Sequence, residues 1–228
     1  MTAAVSHEVE ARARRSGGTS DQAVLNMVLR ALTVRGIEGG SVVDVGCGQG
    51  DLFHVVGARF ARYLGVDAVR YDHFPEQAEF CQLDLDSGGI PLAAGSADVV
   101  TAVEVIEHLE NPREFMRKLV ALAKPGGWVI VSTPNQLSLL SLLTLIAKHR
   151  FQAFQDVHYP AHLTALLEID LRRIAAECGL SQVAIEYSEC GRIPLTGRHY
   201  PRFVSHAFPR RFSENLLMIG HKAEHDPK

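Results

Sequence analysis

The sequence is short of most features that mark a specialised class of protein. Its 228 residues include only four cysteines, Cys47, Cys81, Cys178 and Cys190, and no CxxC pair. That spacing argues against a disulfide framework or a thiolate zinc site and reads as reduced thiols in a cytoplasmic protein. No apolar run is long enough to span a bilayer, and the first residues show no apolar core of the signal-peptide kind. Neither sign of charge dominates. The 23 Lys and Arg against 26 Asp and Glu leave a net charge of −3, which gives no global pull towards nucleic acid. What is present, 46% hydrophobic and 21% charged residues, suits one domain with a sizeable core.

The stretch that organises the chain is Val42-Val43-Asp44-Val45-Gly46-Cys47-Gly48-Gln49-Gly50-Asp51-Leu52. Its β-branched start reads as a buried strand, and its three glycines as a sharp turn with no Cβ in the way of a ligand. Leu52, Phe53, Val55 and Val56 can form the apolar face of a helix whose positive N-terminus faces the turn. A dinucleotide fingerprint would place its third glycine at position 51. Asp51 stands there instead, and Asp44 precedes the turn. A pyrophosphate is repelled by such acids, whereas the ammonium group of an amino-acid moiety is attracted. A plain strand–helix turn remains open at this point.

Residues 1–19 are polar and read as a mobile tail or a loose helix, with the domain proper over residues 20–228. Thr19 or Ser20 can cap a helix over about 21–34, striped with Val24, Leu25, Val28, Leu29 and Leu32. After the glycine turn come a helix to about residue 61, a strand over 62–66 ending in Asp67, and a strand over 80–83 ending in Asp84-Leu85-Asp86. A strand over 99–103 and a helix capped by Asn111, Pro112 and Glu114 lead to a fifth strand over 128–132. Alternation at this length implies right-handed crossovers and a parallel sheet. Asp67 then lies where ligands bind open α/β sheets, and a carboxylate there can accept both hydroxyls of a ribose. Thr164 can cap a helix over 165–178, followed by strands over 182–187 and 215–221.

The glycine turn, the segment Glu104-Val105-Ile106-Glu107-His108-Leu109, the Pro125-Gly126-Gly127 turn and the strand end Ser132-Thr133-Pro134-Asn135 occur in a shared order. In these motifs the chain resembles, over about residues 20–135, the class I S-adenosylmethionine-dependent methyltransferases, and among them the ubiquinone-biosynthesis type. The resemblance implies a doubly wound, mainly parallel seven-stranded α/β sheet, Rossmann-like, with an antiparallel last strand inserted beside the fifth. It implies an enzyme that binds S-adenosyl-L-methionine at Asp44, Gly46, Gly48, Gly50, Asp67, Asp84, Leu85 and Val103. Asp67 would take the ribose, Asp84 (or Asp86, two residues on) the adenine amino group, and Val103 a main-chain contact.

Glu104, Glu107 and His108 are spaced i, i+3, i+4, so a single helical turn would gather them on one face. Two carboxylates and an imidazole are sensible ligands for Mg²⁺ or Mn²⁺, and His162 is a better fourth ligand than His158. The alternatives are His108 as a general base with Glu104 bordering the pocket, or a structural role. Residues 137–146 are apolar nearly all round and imply a lid or cap around 136–163. That cap either packs on the core or meets lipid or a greasy substrate, with Lys148, His149 and Arg150 beside anionic headgroups. Such a peripheral membrane contact would involve residues 137–150.

The leading expectation is O-methylation of a small-molecule or lipid-linked hydroxyl. RNA 2′-O-methylation is the runner-up, set against the acidic net charge and a basic footprint confined to the 191–211 loop. A non-catalytic donor-binding scaffold is a third reading. A nicotinamide dehydrogenase is disfavoured by Asp51.

Overall fold

In a computed structural model the protein is described over residues 7–85 and 90–224. Two helices, α1 (His7–Ser16) and α2 (Gln22–Val34), precede the sheet. Then follow β1 (Ser41–Val45), α3 (Asp51–Val56), β2 (Arg62–Asp67), β3 (Glu79–Gln82), β4 (Ala97–Val103), α4 (Pro112–Leu122) and β5 (Ala123–Pro134). The remainder comprises α5 (Leu139–Lys148), α6 (Glu168–Glu177), β6 (Leu180–Tyr187), α7 (Arg202–Ala207) and β7 (Asn215–Lys222). One seven-stranded sheet runs in the order β3-β2-β1-β4-β5-β7-β6. The first five strands are parallel, and β7 lies antiparallel between β5 and β6. The order reverses between β1 and β4, so the carboxyl ends of these two strands flank the crevice where open α/β sheets bind ligands.

Strand side chains alternate between two cores, as a pleat of period two requires. Val43, Val45, Val100, Ala102, Val129, Val131, Leu216 and Met218 face the core that contains Phe115, Met116 and Leu119 of α4 and Leu171 and Ile174 of α6. Val42, Val99, Val103, Ile130, Leu217 and Ile219 face the opposite core, with Val24, Leu25 and Val28 of α2 and Leu52 of α3. Burial on both faces explains why the central strands read as continuous apolar runs.

Several local expectations are corrected. The segment read as a mobile tail or a loose helix holds α1, while its first six residues lie outside the described residues. Helix α2 is capped by Asp21, whose side chain accepts the Ala23 N–H, and not by Thr19 or Ser20. Thr164 does not cap α6. Its hydroxyl donates to the Leu109 carbonyl at 3.1 Å, and the helix begins four residues later, where Asp170 accepts the Leu167 N–H.

Helix α5 is turned the opposite way from an ordinary surface helix. Its buried members are Ser141 and Thr144, and Ser138 is buried at its cap, while Leu143 is 44% and Ile146 75% exposed. The polar stripe is used inwards. Ser138 caps its own helix through the Ser141 N–H, and the Ser141 hydroxyl accepts the Gln152 N–H at 3.2 Å. The Thr144 hydroxyl lies 2.7 Å from the Leu140 carbonyl and 3.0 Å from Gln152 Oε1. Of its apolar side chains, Leu143 and Ile146 face outward, while Leu139, Leu140, Leu142 and Leu145 are half-buried.

Candidate active site

The glycine turn leaves β1 through Gly46, with φ +77°, and a Cβ there would come within 2.3 Å of the Val105 side chain. Gly48 also has a positive φ, and a Cβ would meet the Gly18 carbonyl at 2.2 Å. The second approach is made by the chain's own N-terminal segment, so this glycine admits protein backbone as well as leaving room for a ligand. Asp67, at the end of β2, reaches back to the turn. Its Oδ2 accepts the Gly48 N–H at 2.8 Å and its Oδ1 accepts the Val69 N–H at 3.2 Å. Burial raises its pKa, and these donors partly restrain the rise.

Asp44 is buried beneath the turn. Its Oδ2 accepts the Tyr63 hydroxyl at 2.5 Å and its Oδ1 the Thr101 hydroxyl at 2.7 Å. Burial is the largest influence on its carboxyl and pushes it up to about 6, against the pull of those two hydroxyls. Asp44 therefore joins β1, β2 and β4 under the turn as well as lining the cavity. Neither Tyr63 nor Thr101 belongs to a recognisable motif, so sequence reasoning missed both.

The N-terminal segment straps over this turn. Gly18 accepts the Gln49 N–H at 2.7 Å, Gln49 Nε2 donates to the Gly17 carbonyl, and the Tyr71 hydroxyl donates to the Ala13 carbonyl at 2.8 Å. Asp51, which stands where a dinucleotide fingerprint has glycine, accepts the Ser20 N–H at 3.0 Å. Val9, Ala13, Arg15 and Ser16 consequently line the same cavity as Asp44, Gly46, Gly48, Asp67, Asp84, Leu85 and Val103. Gly50 instead turns the chain into α3 with φ +84° and is absent from that lining. The alternative Asp86 lies outside the described residues.

At the other end of the cavity the expected one-faced helical turn is not formed. Glu104 has φ +54° and lies outside the 3₁₀ turn, which spans only Ile106–His108, although both Glu104 and Glu107 line the cavity. Asn215 of β7 donates to Glu104 Oε1 at 2.7 Å, and the Glu104 N–H donates to the Ser132 hydroxyl. Burial, with Asp21 adding repulsion, raises Glu104 to about 7. Glu107 is fully buried, accepts the Thr133 hydroxyl at 3.1 Å, and is raised to about 8 by burial and then by Glu104.

The Glu107 carbonyl accepts the N–H groups of both Leu163 and Thr164, and so draws the 158–164 segment onto the fourth-strand motif. His162 thereby comes edge-on to His108, with ring centroids 4.7 Å apart. Ligand atoms of Glu107, His108 and His162 all lie within 4.8 Å of one another, whereas Glu104 is not a member of that group. The four-residue metal set expected from sequence is thus reduced to three. His108 Nδ1 is 2.9 Å from the Ala161 carbonyl and His162 Nδ1 is 2.6 Å from the Ala153 carbonyl. A carbonyl can only accept, so each Nδ1 is the donor in its contact. Burial, then the nearby His108, lowers His162 to about 4 and keeps it neutral.

A cavity of about 380 Å³ thus has a turn suited to a nucleoside at one side and a carboxyl–imidazole cluster at the other. Fold and site together define a Rossmann-like α/β protein whose ligand cavity lies at the carboxyl ends of its strands. Comparison with known proteins makes this specific. A family model described as a methyltransferase domain matches residues 18–185. Ubiquinone biosynthesis O-methyltransferase from Chromobacterium violaceum is 34% identical over 173 residues, covering 70% of this chain and 72% of that protein. Its counterpart from Thiobacillus denitrificans is 30% identical over 152 residues, covering 63% and 66%. The crystal structure of an S-adenosylmethionine-dependent methyltransferase from Archaeoglobus fulgidus superposes with a TM-score of 0.61 at 20% identity, covering 87% of this chain and 94% of that one. The protein belongs to the methyltransferase-domain family and is an S-adenosylmethionine-dependent methyltransferase.

Proposed function

We propose that the protein transfers the donor methyl group to a hydroxyl oxygen of a small or lipid-linked acceptor, with His108 taking the hydroxyl proton. The observation that carries this reading is the placement of His108, whose Nδ1 lies 2.9 Å from the Ala161 carbonyl and whose ring borders the cavity. In the transfer the acceptor oxygen attacks the methyl carbon, the carbon–sulfur bond breaks, and S-adenosylhomocysteine leaves with the sulfur lone pair. The donor is already activated, so the protein supplies alignment and removal of one proton. Glu104, bordering the same cavity and held by Asn215, would position the donor or acceptor beside it. The relatives named as O-methyltransferases support oxygen as the acceptor atom.

A second reading rests on the three ligand atoms gathered from Glu107, His108 and His162. These residues fit a divalent cation such as Mg²⁺ or Mn²⁺: a carboxylate and two imidazoles are sensible ligands for it, and burial, then the neighbouring Glu104, raises Glu107 to about 8, a penalty that a bound cation would relieve. Such a cation would lower the pKa of an acceptor hydroxyl by Lewis acidity. Activity abolished by EDTA and restored by Mn²⁺ or Mg²⁺ would establish this reading; chelator-insensitive turnover would leave His108 as the base.

The outward face of α5 supports a greasy acceptor and a peripheral membrane contact. Exposed Leu143 and Ile146 stand beside Lys148, His149 and Arg150, and exposed Val157 lines the cavity rim nearby. This arrangement suits an anionic bilayer surface from which a lipid-linked hydroxyl could enter. A labelled-donor screen of phenolic, polyprenyl-phenolic, glycan and RNA acceptors tests the proposal. Turnover should be highest on apolar phenols, with His108→Ala reducing kcat about 10²- to 10⁴-fold while leaving donor affinity unchanged. Turnover on RNA alone would refute it.

A further inference from the structure

We propose that His158 is an acceptor-binding residue, whose Nε2 holds a second oxygen of the methyl acceptor while His108 faces the hydroxyl that is methylated. This rests on the reading of His108 as the proton acceptor and extends it to the substrate. Among the described residues three imidazoles line the cavity, those of His108, His158 and His162. Two of them are tied to the backbone, His108 Nδ1 at the Ala161 carbonyl and His162 Nδ1 at the Ala153 carbonyl. His158 has no such tie among the described residues. Its Nδ1 is sealed from solvent without a hydrogen-bond partner, and it stands outside the group of ligand atoms drawn from Glu107, His108 and His162. A purely structural imidazole would have that nitrogen satisfied, as its two neighbours do. The sealed Nδ1 leaves Nε2 as the nitrogen that a cavity ligand can reach.

The backbone presents this ring rigidly. The His158 N–H donates to the Gln155 carbonyl at 2.8 Å, and the His158 carbonyl accepts the N–H groups of Ala161 and His162 at 2.8 and 3.0 Å. The ring lies nearly parallel to His162, at 18° with centroids 5.4 Å apart, while His162 stands edge-on to His108. His162 is thus the ring in contact with both of the others. Val157 and Ala161, the remaining cavity residues of this segment, are apolar, so His158 is the polar group that the segment adds beyond the histidine pair. An acceptor whose reacting hydroxyl meets His108 must extend past His162 to pair with His158. Two oxygens on well-separated carbons of one ring can do so, as in a hydroquinone or a saccharide. A monohydric phenol leaves Nε2 desolvated and unpaired, which costs affinity.

Calorimetry on the full chain saturated with S-adenosylhomocysteine tests this with tert-butylhydroquinone and ortho-tert-butylphenol, which share ring and alkyl group and differ by one hydroxyl. The wild type should bind the diol about 3- to 10-fold more tightly, the range for one hydrogen bond. His158→Phe keeps a ring against His162 but no nitrogen. It should bind both phenols alike, with the affinity for S-adenosylhomocysteine as in the wild type. His158→Gln, whose amide can reach the place of Nε2, should recover part of the preference. A full diol preference in His158→Phe, or none in the wild type, would overturn the assignment of His158 while leaving His108 as the base. Weakened S-adenosylhomocysteine binding by His158→Phe would overturn it in favour of a structural role. Binding of neither phenol to the wild type would overturn the phenolic acceptor itself, and this site with it.

Discussion

Single side chains in this protein are read correctly only when their partners are known. Asp67 and Asp44 are both acids beside the same glycine turn, yet they do different work. Asp67 is held by two backbone N–H groups at the cavity, so its remaining acceptor capacity can take ribose hydroxyls. Asp67→Ala should reduce donor affinity about 100-fold, since hydrogen bonds to a charged group are worth about 1.5–3 kcal/mol each; calorimetric titration measures it. Asp44 spends both oxygens on Tyr63 and Thr101. Its folded pKa of about 6 exceeds the ordinary 3.8, so the folded state keeps a proton that the unfolded state releases. Stability from this group is therefore present at low pH and is lost as pH rises from 3.8 to about 6. Thermal unfolding of the ligand-free protein between pH 4 and 7 should show that decline, on the order of 3 kcal/mol, and Asp44→Asn should remove it.

At the scale of elements, α1 and α5 depart furthest from what their sequences suggest. The composition of residues 1–19 contains no apolar stripe strong enough to announce a helix, because α1 is held by backbone carbonyls accepting from Tyr71 and Gln49. Tyr71→Phe removes one of those bonds, of about 1 kcal/mol. It should weaken donor binding roughly fivefold and speed amide exchange over residues 9–18, which hydrogen-exchange mass spectrometry can read. For α5 the sequence shows a narrow polar stripe, and the ordinary rule sends that stripe to solvent. Here Gln152 offers partners on the inner side, and satisfying Ser141 and Thr144 there turns Leu143 and Ile146 outward. Leu143→Asp with Ile146→Asp should leave Tm almost unchanged, because these side chains already face solvent, while abolishing flotation with phosphatidylglycerol vesicles. Flotation equal to wild type would remove the membrane contact from consideration.

The molecule as a whole behaves as one sheet that gathers distant chain segments at its carboxyl edge. Asn215 of β7 reaches Glu104 because β7 inserts beside β5, and Leu163 and Thr164 reach Glu107 across more than fifty residues of chain. A ligand that binds only this assembled state stabilises all of it. S-adenosylhomocysteine at 100 times its Kd should add about 2.7 kcal/mol, a rise in Tm of roughly 5–10 °C for a chain of this size. NADH should produce no such shift in differential scanning fluorimetry; a shift with NADH alone would contradict the donor assignment.

Local chemistry was sufficient to read much of this protein from its sequence. Apolar runs marked the central strands, glycine spacing marked the turn, and Asp67 and Asp84 followed their strands at the distances that parallel crossovers impose. These features depend on near neighbours in the chain, so they survive without knowledge of the fold. The carboxyl–imidazole cluster depends on long-range contact. Spacing alone grouped Glu104 with Glu107 and His108, but a left-handed backbone at Glu104 and the pull of Asn215 direct it elsewhere. His162, expected from sequence as a fourth ligand, joins Glu107 and His108 where two N–H groups of its remote segment bind the Glu107 carbonyl. The sequence by itself determined the parallel strands and the glycine turn, because both are written in periodicity and adjacency, while the donor class came from the resemblance of its motifs to a known family. Only the tertiary structure decided which acid joins the imidazoles, that an N-terminal helix closes the cavity, and which face of α5 meets the surroundings, because those outcomes depend on hydrogen-bond partners far away in the chain.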